Sequence, residues 1–166
     1  MPEAKVTLVK GMTFRGESGS GHTVMMDSAK EFGGMNAGVR PMEMLLLALG
    51  GCTAMDVITI LRKKRQDVTG YEVRVSGERA SEHPRVFTDI TVEHIVRGKG
   101  VDPAAVERAV ELSTSKYCSV IGMLGKVADI RTSFRVVEDR ASVVSYEASA
   151  ALRAGQGNEN TKDLGD

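Results

Sequence analysis

Cys52 and Cys118 are the only cysteines in a 166-residue chain. Two cysteines in a chain of this length do not make a disulfide scaffold, and in a reducing cytoplasm a bond between them would be transient and functional. Cys52 lies in a long apolar run, and Cys118 follows 66 residues later at the expected start of a short helix. A helix N-terminus favours a thiolate at Cys118. Spacing alone leaves two buried structural thiols as the plainer alternative. A free thiol is only a few per cent thiolate at pH 7, so a reactive Cys52 requires a cation or donor beside it. Arg15, Arg40 and Lys116 are the candidates by sequence position. Asp56, at i+4 from Cys52, falls near the same helix face, where an unpaired carboxylate raises a thiol pKa. Glu43, at i−9, falls on the opposite face and reaches Cys52 only through a kink or by serving a partner subunit.

Other groups carry less. Gly16 to Thr23 has the spacing of a phosphate-binding loop, but His22 stands where its lysine is required and a strand follows. His22, His83 and His94 have no metal-ligand spacing with each other or with the cysteines, so neither metal nor cofactor is expected. His94 falls on an apolar strand face and reads as a hydrogen-bonded structural histidine. Lys plus Arg balances Asp plus Glu, and there is no Trp. This composition lacks the basic stripe and stacking platforms of a nucleic-acid binder.

The elements that must position the cysteines follow from periodicity. Residues 4–9 and 22–27 read as strands around a glycine-rich loop. Residues 41–65 read as one helix, with Pro41 in its first turn and Arg62-Lys63-Lys64-Arg65 at its end. Residues 71–76 and 86–96 alternate as an antiparallel hairpin. Asp102-Pro103 starts a helix to about residue 115, a short apolar helix spans 118–126, and 130–137 alternate again. Residues 1–140 read as a single domain and 141–166 as a C-terminal extension, partly disordered.

The long helix is apolar nearly all round, yet Gly50, Gly51, Asp56 and two threonines argue against a membrane span. At 1.5 Å per residue, 25 residues run roughly 37 Å, across the whole of a domain with a radius of gyration near ~14 Å. A homodimer that buries the helix between subunits is the expected solution. Two mid-helix glycines cost roughly 2 kcal/mol against alanine. Close backbone approach, room beside Cys52 or plain helix packing would justify that cost.

The runs P-M-E-M-L-L-L-A-L-G-G-C-T-A-M-D-V from Pro41 and K-Y-C-S-V-I-G-M-L from Lys116 resemble the OsmC/Ohr family. G-E-S-G-S-G-H and R-K-K-R-Q-D-V resemble one OsmC-like branch of it. The resemblance covers about residues 4–137. It implies an α+β OsmC-like fold, with antiparallel sheets wrapped around long central helices in an intertwined homodimer, while the cysteine usage points to a cytoplasmic protein. It also implies thiol peroxidase chemistry on small organic hydroperoxides in oxidative-stress defence. Cys52 would be the peroxidatic thiol and Cys118 the resolving one, recycled by an external dithiol. The family's activating glutamate, ten residues before the first cysteine, is Met42 here, and Glu43 is displaced by one. Arg15 and Arg40 are the candidates for the arginine that this glutamate positions. The displacement motivates a second reading, a non-enzymatic protein holding a small apolar or electrophilic ligand at the dimer interface.

Overall fold

The computed structural model describes residues 1–139, so expectations for the C-terminal extension lie outside the described residues. The chain is mixed α+β and divides into two units, Met1–Leu47 and Ala48 onward.

The first unit is a three-stranded antiparallel meander, β1 (Ala4–Lys10), β2 (Thr13–Ser18) and β3 (Thr23–Met26). β2 was not expected, because Gly16 and the glycines after it masked a strand that pairs on both sides. The loop beyond β3 is gathered by Asp27, whose carboxylate accepts the N–H groups of Ser28, Met35 and Ala37 at 2.8, 3.0 and 2.9 Å. The Ala37 N–H leads these donors in holding the Asp27 carboxyl below the usual carboxylate range. The helix α1 (Pro41–Lys63) begins in this unit. Glu43 reaches back to accept the Arg40 backbone N–H at 2.9 Å, half of a capping box, and Pro41 needs no donor partner at the first position.

The second unit holds the rest of α1 and a sheet of β4 (Asp67–Arg79), β5 (Phe87–Lys99) and β6 (Asp129–Glu138), in that order. β4 and β5 form the expected antiparallel hairpin, with Tyr71 opposite Val96 and Val73 opposite His94. β6 runs parallel to β5, with His94 opposite Phe134. A parallel pair needs a crossover, which α2 (Pro103–Leu112) and α3 (Ser119–Leu124) supply. Asp102 caps α2 through its side chain, accepting the Ala104 N–H at 2.9 Å. Between the two helices a π-type turn covers Ser113–Tyr117, closed by the Cys118 N–H donating to the Ser113 carbonyl at 2.9 Å. Its last two residues are where sequence places the break.

Val57 and Leu61 of α1 pack with Val106, Ala109 and Val110 of α2 and with Val96, Phe134 and Val136 of the sheet. Within one chain α1 is not buried on every side as its composition suggests. Its buried residues are Leu49, Gly50, Thr53, Val57 and Leu61, while Leu47 and Met55 are 60% and 71% exposed. α1 is long and apolar enough to cross a membrane by length and composition alone. Its Leu49, Val57 and Leu61 side chains belong to the core.

Candidate functional site

Gly50 explains how α1 approaches the sheet. A Cβ there would meet Val75 Cγ2 at 3.1 Å, so the glycine lets the helix close onto β4. One glycine is thus accounted for by packing. Gly51 faces open space, with nothing within 4 Å of a built Cβ. One position later stands Cys52, half-buried, with Asp56 one turn on along the same face.

The π-type turn brings a second set of groups to this face. Ser113 and Cys118, its first residue and the one just past its end, are both buried. Cys52 Sγ, Cys118 Sγ and an Asp56 carboxylate oxygen lie within 4.8 Å of one another. Both thiols are free. Ser113 Oγ donates to Asp56 Oδ2 at 3.0 Å and is 2.9 Å from Thr53 Oγ1. A carboxylate only accepts, so the single Ser113 proton goes to Asp56, and Thr53 must donate to Ser113. This directed chain fixes the carboxylate beside the sulfurs.

Burial pushes the Cys118 thiol up to about 11, and the neighbouring Cys52 sulfur adds to the push. The Ile121 and Val120 N–H groups at the start of α3 pull the other way, as the sequence leads one to expect, but they do not overcome the desolvation. Cys118 is therefore a neutral thiol at pH 7. Tyr71 is held above the ordinary phenol range, first by burial and then by the Asp56 charge. Its hydroxyl is 2.6 Å from His94 Nδ1, and the two rings stack. His94 is completely buried, and desolvation lowers it to about 4, so the pair is neutral. The structural histidine read from sequence is thus present, although its Nε2 has no partner among the described residues.

The five residues singled out by sequence divide between the two units. Cys52 and Cys118 come together in the second. Arg15, Arg40 and Glu43 belong to the first and are held there by local partners. Arg15 pairs with Glu17 at 3.4 Å, Arg40 Nη1 donates to the Gly38 carbonyl at 3.1 Å, and Glu43 caps α1. Lys116, also considered as a cation for Cys52, lies over the Tyr117 ring at 5.5 Å. Ser113, Thr53 and Tyr71 are site residues that sequence reasoning missed. The Ser113–Cys118 spacing was a usable signal only once the intervening turn is known to be π-type.

A half-buried thiol and a buried one thus share one place in the fold with a carboxylate held by two hydroxyl residues. The model of OsmC-like proteins matches residues 34–133, and the chain belongs to this family. Protein YhfA of Escherichia coli K12 is 49% identical over 138 residues, 81% of this chain and 98% of YhfA. A hypothetical protein of solved structure from Aquifex aeolicus VF5 is 31% identical with a TM-score of 0.74, covering 84% of this chain and 98% of its own. An OsmC-like protein from Mycoplasma pneumoniae, 13% identical over 82% of this chain and 97% of its own, shares the fold with a TM-score of 0.71.

Proposed function

We propose that the protein is a thiol-dependent peroxidase that reduces small organic hydroperoxides in oxidative-stress defence in a reducing cytoplasm. The observation that carries this reading is the meeting of two free thiols, 66 residues apart in sequence, within 4.8 Å. Cys52, the more exposed, attacks the distal peroxide oxygen as thiolate. The O–O bond breaks, and the alkoxide takes a proton and leaves as an alcohol. Cys52 is left as a sulfenic acid. The Cys118 sulfur then attacks the sulfenic sulfur, and the departing hydroxyl leaves with the Cys118 proton as water. An external dithiol returns two electrons and two protons and restores both thiols. Arg15 or Arg40 serves as the activating cation and Glu43 as its carboxylate partner, in a homodimer that covers the exposed face of α1.

One equivalent of cumene hydroperoxide added to the reduced protein should give a 52–118 disulfide by peptide mass spectrometry. Two free thiols after that dose would overturn the reading. The commitment of Glu43 to the Arg40 backbone N–H favours a second reading, non-enzymatic binding of a small apolar or electrophilic ligand at the dimer interface. That reading expects ligand-dependent thermal stabilisation that survives Cys52→Ser, and loss of all ligand response in the variant would count against it.

A further inference from the structure

We propose that Cys52, Asp56 and Cys118 form a binding site for one soft divalent cation of the zinc class. It involves the same sulfurs as the peroxidase reading but goes beyond it, and it stands whether or not the protein turns over peroxide.

The donor set points to this class of metal. Two thiolates and one carboxylate suit zinc and its soft neighbours, whereas magnesium and calcium require oxygen ligands throughout. The three donor atoms already lie within 4.8 Å of one another, so small side-chain rotations bring them onto a common ion. Cys52 and Asp56 stand one helical turn apart on α1, and the turn before α3 presents Cys118 to them. Three protein ligands leave a fourth position to solvent, the pattern of an open rather than a closed site.

The surroundings of Asp56 supply an independent argument. Ser113 donates to its Oδ2, and Thr53 orients Ser113, both hydroxyl residues being buried. A carboxylate oriented by a fixed outer donor beside two sulfurs has the usual support of a metal ligand. Among the described residues no Lys, Arg or His forms an ion pair with Asp56. A part-buried carboxylate with no ion-pair partner lacks a counter-charge, and a divalent cation provides it. On binding, both thiols release their protons to solvent.

The sulfurs cannot hold a cation and form a disulfide at once. A metal ion therefore competes with the disulfide for the same sulfurs. Reaction of the loaded site with one hydroperoxide and two protons would give the disulfide, an alcohol, water and the free cation.

The test uses the full chain, reduced and freed of metal under anaerobic conditions. Titration with Co2+ should produce a thiolate-to-cobalt charge-transfer band that saturates at one equivalent per chain, and Zn2+ should displace it. Ser113→Ala, which leaves all three ligands in place, should lower Zn2+ affinity by about 10–100-fold. Asp56→Asn, which keeps both thiols, should lower it further. Absence of the band while both thiols titrate as reduced would overturn the proposal, as would a band unchanged in Cys118→Ser. The same metal-free sample dosed with cumene hydroperoxide separates the two readings. A disulfide without a cobalt band overturns the metal site alone, and a cobalt band without a disulfide overturns the peroxidase alone.

Discussion

His94 shows how a single buried side chain ties stability to pH. Its folded pKa of about 4 lies below the unfolded value near 6.5. Above pH 6.5 neither state is protonated. Between about 6.5 and 4 the unfolded chain takes up a proton that the folded chain refuses, so stability falls as pH drops. Below about 4 both states are protonated and the contribution levels off, after a loss on the order of 3 kcal/mol. Urea unfolding from pH 7 to pH 4 should show this slope, and His94→Gln should flatten it. The two thiols should also differ in alkylation at pH 7, because Cys118 is 4% exposed and burial holds it protonated. Iodoacetamide should label Cys52 first, as read by peptide mass spectrometry; equal labelling would contradict the burial. The cysteines were legible in the sequence because they are the only two, and Asp56 because i+4 is a helical neighbour. Ser113, Thr53 and Tyr71 were not, since hydroxyl-bearing residues are common, only the π-type turn brings Ser113 to Asp56 and Thr53, and Tyr71 is linked to Asp56 through its charge.

At the scale of elements, the two adjacent glycines of α1 should respond differently to the same substitution. Alanine at either adds about 1 kcal/mol of helix propensity. At Gly50 the new methyl presses on Val75 at 3.1 Å, so Gly50→Ala should gain no thermal stability. At Gly51 the single chain offers open space, between Leu47 and Met55 on the exposed stripe. The proposed dimer predicts that Gly51→Ala weakens self-association without loss of helical circular dichroism. An unchanged dimer with a higher Tm would show that this face is free. Most elements were legible from period and punctuation. α1 was marked by Pro41 and its terminal cations, and α2 by Asp102-Pro103. β2 was hidden by glycines that break a propensity argument but not a ladder paired on both sides. The parallel placement of β6 was also illegible, since alternation marks a strand and not the direction in which it pairs.

For the whole molecule, the exposed half of α1 is the outstanding feature. Met55→Glu, on a side chain 71% exposed, should leave the secondary structure intact and give a monomer by sedimentation at all concentrations. A dimer that survives this charge would place the interface elsewhere. The meeting of Cys52 with Cys118 has a further consequence for the lifetime of the chain. A bond between them would close a loop holding the end of α1, the β4–β5 hairpin and α2. A cross-link over a loop of this length removes enough freedom from the unfolded chain to stabilise the fold by about 4 kcal/mol. Where cleavage samples the opened chain, that is roughly a thousandfold slower degradation. Molecules that had just met an oxidant would be spared while reduced ones were cleared, so protease survival would keep a short record of exposure.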